Sequence, residues 1–189
     1  MQPMRFDVRP ARPADTPSLF RMKLQLVISE KAESGFRATE QDWLRDAFGA
    51  NPKFMAIVAE YEGAVVGMVT YSERYSTGWA GPTYYVQDLF VEPIHRKRAV
   101  GTALLAEVAA QAVHRAIPLV ELTVRNENVA RKFYRRCGFQ RIRHCPSYVL
   151  VGQSLANLTA RSATGDHPVR LAAAPSGASP FRSRAGQQS

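Results

Sequence analysis

Two cysteines among 189 residues, Cys137 and Cys145, are too few for a disulfide framework. Reduced thiols and a cytoplasmic setting are therefore expected. No run approaches the roughly 18 apolar residues of a membrane-crossing helix, and Met1-Gln2-Pro3-Met4-Arg5 lacks the apolar core of a signal peptide. No internal repeat is present, and no His and Cys spacing resembles a zinc site, so no metal is expected. Acidic side chains are scarce: 16 Asp and Glu stand against 25 Lys and Arg, a formal charge of +9. That excess suits nucleic acid, a membrane surface or a small polyanion. Its placement favours the last, because the cations crowd into His95-Arg96-Lys97-Arg98, Arg131-Lys132 and Arg135-Arg136. No recognition-helix pattern and no aromatic-basic strand motif accompanies them, which argues against nucleic acid.

What is present is ordinary globular composition, 46% hydrophobic and 22% charged. Hydrophobic periodicity predicts a strand around Phe6 and Val8, then a helix capped by Asp15 with Leu19, Phe20, Met22, Lys23, Leu26 and Val27 along one stripe. Thr39, with Asp42 three residues on, opens a second helix bearing Trp43, Leu44, Ala47 and Phe48, and Asn51-Pro52 ends it. Phe54 to Tyr61 and Ala64 to Tyr71 read as strands joined at Glu62-Gly63 in a tight hairpin. Ser72 to Pro82 reads as a polar loop exposing Trp79, and Tyr84 to Val91 as the next strand. Ala99 to His114 is an amphipathic helix, followed by Pro118 to Val124 (strand), Asn128 to Cys137 (helix), and strands at Phe139 to Arg143 and Ser147 to Val151. The order implies a mixed α/β, α+β chain with a parallel crossover around the Ala99 helix. Residues 1–152 form one domain in this reading. The segment 153–189, rich in Ala, Ser, Gly, Arg and Pro, reads as a disordered low-complexity tail.

The chemistry concentrates where the Val86 to Val91 strand runs through the basic loop into the Ala99 helix. The first backbone N–H groups of a helix have no intrahelical acceptor, and the positive end of its dipole adds to them. Free donors beside Arg96, Lys97 and Arg98 make a cradle for a pyrophosphate. His95, beside three cations, and His114, at a helix end, carry no metal or base role in this reading.

The stretch Asp88-Leu89-Phe90-Val91-Glu92-Pro93-Ile94-His95-Arg96-Lys97-Arg98-Ala99-Val100-Gly101-Thr102 resembles the acetyl-CoA motif of the GNAT acetyltransferases. There Arg or Gln, two variable residues, Gly, one variable residue and Gly or Ala open a helix. Downstream, Ala130-Arg131-Lys132-Phe133-Tyr134-Arg135-Arg136-Cys137-Gly138-Phe139 is similar to that family's second motif, Ala-x-x-x-Tyr-x-x-x-Gly-Phe. The resemblance covers roughly residues 5 to 151 and implies a mostly antiparallel, splayed sheet of about seven strands flanked by four helices. It further implies acetyl-CoA as co-substrate, its pyrophosphate on the N–H groups of Arg98, Ala99, Val100, Gly101 and Thr102, with Arg96 opening the motif and Lys97 within it. The backbone of Phe90 and Val91 would hold the pantetheine arm. Ala99 stands where the family has its first Gly, so a positive φ there would carry strain of about 1 kcal/mol. Glu127 stands where the family has Asn, flanked by Asn126 and Asn128, and Asn128 is taken as the cofactor contact.

By the same resemblance Tyr134 is the catalytic acid that protonates the departing thiolate after direct attack by an amine. The alternative role for Tyr134 is packing on the sheet. Asp88, Glu92 and Glu121 are candidate bases, and Leu89 is the expected N–H donor to the thioester carbonyl. Asp88 and Gln87 alternate in face, so both point inward only if a bulge intervenes. Cys137 lacks an evident base and is not a nucleophile. The segment Ser29 to Asp46 implies a mildly acidic acceptor lid. Trp79, Tyr85 and Gln87 are candidate substrate contacts, and Trp79 to Val91 loosely resembles the diamine acetyltransferase branch, with Gln87-Asp88 in place of its acidic pair. The reading is an N-acetyltransferase acting on a small primary amine. Its rivals are a protein or peptide N-acetyltransferase and a non-catalytic acyl-CoA-binding regulatory module. Bulky replacement of Gly101 is expected to abolish cofactor affinity with little loss of folding. A homodimer through the last two strands is left open, since edge pairing is not written in a single chain.

Overall fold

The computed structural model describes residues 6–125 and 128–141. Five strands, β1 (Asp7–Pro10), β2 (Met55–Tyr61), β3 (Ala64–Ser76), β4 (Gly81–Val91) and β5 (Val120–Leu122), lie side by side in chain order. All neighbours are antiparallel except β4 and β5, which run parallel because helix α3 (Val100–His114) crosses between them. The α+β class and the crossover match the sequence reading. Five strands are found among the described residues against about seven expected. Phe139 to Arg141 carry no strand, and the rest of the last two expected strands, Asn126, Glu127, Cys145 and the 153–189 segment lie outside the described residues.

Alternation along the strands sends side chains into two cores. One face meets α3 and α4 (Arg131–Arg136) through Ile57, Val69, Val86, Val100, Leu104 and Val108. The other meets α1 (Thr16–Ser29) and α2 (Glu40–Phe48) through Leu19, Met22, Trp43, Val58, Met68 and Phe90. Each such side chain fully removed from water contributes about 1.5–3 kcal/mol before entropy is charged against it.

Three local expectations are met in atomic detail. Thr39 and Asp42 form a reciprocal capping box at the start of α2. Glu62 and Gly63 both take positive φ (50° and 77°), the geometry of a tight hairpin whose twist matches its strands. The α3 stripe buries Leu104, Leu105, Val108 and Ala112.

Others are corrected. Asp15 does not accept from the first turn of α1. Pro13 starts a short 3-10 turn before the helix, and the Asp15 carboxylate accepts from the Arg12 N–H at 2.7 Å and from the Arg9 guanidinium at 2.8 and 3.0 Å. The stretch Ser72 to Pro82 is a hairpin rather than a loop: β3 runs to Ser76 and β4 begins at Gly81. Glu73, Arg74 and Tyr75 are exposed, so their polarity marks a strand end left uncovered and not an absence of pairing. Leu44 is exposed, and β5 and α4 are shorter than expected.

Candidate active site

Strand β4 delivers the chain through a 3-10 turn, Pro93–His95, to the basic loop and α3. Within the loop Lys97 (φ 62°) and Ala99 (φ 63°) are left-handed, so the position where the family motif has Gly does take a positive φ. The first helical bond runs from the Ala103 N–H to the Ala99 carbonyl at 2.9 Å, which leaves Val100, Gly101 and Thr102 as N–H groups without an intrahelical acceptor. A left-handed residue followed by helical ones turns successive N–H groups to one side, an anion-binding concavity. Arg96, Lys97 and Arg98 are exposed around it, and the Arg96 Nε donates to the Val91 carbonyl at 2.9 Å, tying the loop to the strand end. His95 packs edge-on to Phe6 and beside Tyr61. Its Nδ1 is buried without a hydrogen-bond partner among the described residues.

The sheet opens beside this cradle. β4 pairs with β3 along its whole length, but with β5 only at Tyr84, Tyr85 and Val86. Among the described residues, Gln87 to Val91 thus keep an edge without a strand partner. N–H directions alternate along a strand. The Glu92 N–H donates to Val66 of β3 at 2.9 Å, so the N–H groups of Leu89 and Val91 turn the other way, toward the open edge. Phe90 therefore donates toward β3 and buries its ring against α1 and α2, which moves the expected backbone contact from Phe90 to its two neighbours.

Tyr134 reaches the opening from α4. Gly101 admits this approach: a Cβ there would stand 3.2 Å from the Phe133 ring and 3.7 Å from Val91. Bulky replacement of Gly101 would therefore displace α4, and the expectation of an untouched fold is corrected. Asn128 uses its side-chain oxygen to accept from the Ala130 N–H at 2.8 Å, capping the turn into α4 and leaving only its amide NH2 for a cofactor. The Tyr134 ring lies between Phe133 and Phe139. Burial, then the charges of Glu30, Cys137 and Asp88, push its pKa up to about 12. Tyr134 sits on the α3 face and Asp88 on the α1 face, yet the Asp88 charge reaches Tyr134 across the gap.

The bulge that both Gln87 and Asp88 required is present. Thr70 stands opposite Asp88 and Tyr71 opposite Val86, so Gln87 is the extra residue. Gln87 donates to Ser72 at 3.1 Å and Asp88 accepts from Thr70 at 2.9 Å, and Thr70 and Ser72 share one face. Tyr85, opposite Ser72, joins them with the Arg74 guanidinium 3.4 Å over its ring. Trp79 does not. It lies on the β3–β4 turn, 63% exposed, and the six strand steps separating Gly81 from Gln87 span about 20 Å. Among the candidate bases, Asp88 is 7% exposed, with its other oxygen 2.6 Å from the Lys23 Nζ. Glu92 is held by Arg21 at 2.5 Å. Glu121 pairs opposite Tyr85 on β5.

Lys23, Thr70, Ser72 and Arg21 were not singled out from the sequence. Lys23 left a signal nonetheless: a cation one helical turn after buried Leu19, on an otherwise apolar stripe. The polar partners of β4 on β3 left none, because they depend on a register shifted by a bulge.

Comparison with known proteins agrees with this geometry. Residues 21–139 match the acetyltransferase (GNAT) family. A thialysine N-epsilon-acetyltransferase of Mus musculus is 30% identical over 166 residues, covering 82% of this chain and 97% of that one. A spermidine/spermine N(1)-acetyltransferase-like protein 1 of Homo sapiens is 28% identical over 115 residues, 57% of this chain and 16% of that one. Among solved structures, AAC(6')-Iy in complex with a CoA-S-monomethyl-acetylneamine bisubstrate analogue shares the fold at a TM-score of 0.65 and 18% identity, covering 78% of this chain and 99% of that one. Helix-end cradle, open strand edge and half-buried tyrosine thus occur in a chain that belongs to the GNAT acetyltransferase family, enzymes with acetyl-CoA as co-substrate.

Proposed function

We propose that this enzyme transfers the acetyl group to a primary amine of a small molecule by direct attack in a ternary complex. The observation that carries the reading is Tyr134, a half-buried phenol whose pKa is pushed up to about 12, on the helix beside the cofactor cradle and within reach of the charges of Glu30 and Asp88. A small amino-bearing acceptor is named for the murine relative, thialysine, and the human relative is named as like a spermidine/spermine acetyltransferase. Cytoplasm is the proposed compartment, in keeping with the free thiol of Cys137.

In this reading the pyrophosphate lies on the N–H groups of Val100, Gly101 and Thr102, with Arg96, Lys97 and Arg98 around it and the Asn128 amide nearby. The pantetheine arm pairs with the open edge at Leu89 and Val91, and the Leu89 N–H polarises the thioester carbonyl. A neutral amine attacks that carbonyl: a C–N bond forms, the C–S bond breaks, and the thiolate takes its hydrogen bond and proton from Tyr134, which regains a proton from solvent. The burial that raises the phenol also raises a thiolate placed beside it, so the two stay matched. Asp88 was expected to accept the amine's proton. With one oxygen on Lys23 and the other on Thr70 it is better placed to shape the acceptor face, and the proton leaves to solvent at the opening.

The test is thiol release from acetyl-CoA across diamines, amino acids, aminoglycosides and short peptides, with a Tyr134→Phe variant alongside. Turnover on a small amine, lowered about 10²–10⁴-fold in the variant, is expected. Turnover on peptides alone, or a variant as fast as the parent, would overturn the reading.

A further inference from the structure

We infer that Lys23 is a specificity-determining residue: its ammonium occupies the carboxylate of Asp88 and so turns the acceptor face away from amines that carry a second positive charge. This deepens the small-amine reading and rests on it for the assignment of that face.

The argument begins with how α1 lies along β4. Two cations on α1 meet two carboxylates of the strand's far end: Arg21 holds Glu92 at 2.5 Å and Lys23 holds Asp88 at 2.6 Å. The second pair is the enclosed one. The side chain of Asp88 is 8% exposed and that of Lys23 23%, and Thr70 donates to the remaining Asp88 oxygen at 2.9 Å. An enclosed carboxylate held by an ammonium on one oxygen and a hydroxyl on the other has its charge cancelled at contact distance. Beside it the bulge turns Gln87 to the same face, where the amide is neutral and spends its N–H on Ser72. An acceptor arriving at the bulge therefore meets an amide, a neutralised carboxylate and the Lys23 ammonium. One amine can react there, but a second ammonium finds no uncompensated anion at Asp88. Removing the Lys23 charge frees a carboxylate that can make a charge-assisted hydrogen bond to that second ammonium.

The experiment compares 1,4-diaminobutane with butylamine, which share a chain length and differ by one charge. KM and kcat are measured on the full chain with acetyl-CoA, and Kd by calorimetry on the complex with CoA. Variants are Lys23→Met, Lys23→Gln, Lys23→Arg and Lys23→Met combined with Asp88→Asn. In Lys23→Met the preference for the diamine should rise about 10- to 100-fold, chiefly through KM and Kd, the range a charge-assisted hydrogen bond supplies. Lys23→Arg, which keeps the ion pair, should retain the parent's preference, and the double variant should return to it. Lys23→Gln gives the same reading if Lys23→Met does not fold, since its amide still donates to Asp88 without the charge. An unchanged preference in a folded charge-removing variant, or a rise in Lys23→Arg as large as in Lys23→Met, overturns the inference. The Kd arm separates the two readings: a shift in binding preference without turnover on any amine would sink the proposed reaction and sustain the role of Lys23.

Discussion

Ala99 caps the cradle helix at φ 63° and ψ 1°, where an L side chain crowds its own carbonyl. A left-handed conformation at a residue with a Cβ costs about 1–2 kcal/mol relative to the right-handed one. Ala99→Gly removes that strain. It also adds backbone freedom to the unfolded chain, an opposing effect of about 0.4–1 kcal/mol. The net expectation is a stabilisation of about 0.5–1 kcal/mol, which for a chain of this size moves the thermal midpoint up by about 1–4 °C. CoA affinity should change by less than about twofold, because the backbone already holds the conformation glycine prefers and the donors at Val100, Gly101 and Thr102 are untouched. Circular dichroism on heating, with calorimetric titration of CoA, reads both quantities. Ala99→Val supplies the opposite sign, since a β-branched residue fits this region worse than alanine. A lower midpoint in Ala99→Gly, or a neutral Ala99→Val, would refute the claim that the cradle is held under backbone strain.

Further outcomes follow from other contacts. Log kcat/KM should rise with unit slope as pH approaches the acceptor's own pKa, near 10.4 for an alkylamine, and no falling limb from Tyr134 should appear below about pH 12, because its raised pKa keeps the acid protonated there; a limb near pH 8 that Tyr134→Phe abolishes would contradict this. Gly101→Val should lower both CoA affinity and the thermal midpoint, and Phe133→Leu in the same chain should recover part of the midpoint, because the Phe133 ring is the nearest obstacle at 3.2 Å. Asp15 has its pKa lowered, first by the hydrogen bond from Arg9, so its contribution is complete above the unfolded carboxylate value and is lost as acid brings the pH down through the folded one. Asp15→Asn should accordingly destabilise by about 1–3 kcal/mol at neutral pH and by progressively less in acid, as measured by urea unfolding across pH.

Much of the site was legible because its parts are local. The cradle needs a strand, a turn and a helix start within one short stretch, and Arg96 to Thr102 announce themselves through basic side chains and small residues. The Thr39 box and the Glu62-Gly63 hairpin are likewise settled by residues a few positions apart. The β3–β4 hairpin reads as a loop because successive residues of the β3 end, Glu73 to Tyr75, are exposed and mostly polar, the composition expected of a loop. Asp15 was misplaced because Arg9 and the Arg12 N–H compete for its carboxylate more effectively than the helix does.

The chain's order of apolar and polar residues and its helix-start signals thus determined by themselves the α+β class, and its two motifs led to the proposed pyrophosphate loop and to Tyr134 as the proposed acid. Tertiary structure decided what depends on register and on faces meeting across long separations. The bulge that brings Gln87 beside Asp88, the alternation that turns the Leu89 and Val91 N–H groups outward, and the pairing of Lys23 with Asp88 belong to that second group. Sequence spacing sets which side chains share an element. Only packing sets which charges end within hydrogen-bond distance of each other, and in an enclosed face that pairing determines which charge remains for a ligand to meet.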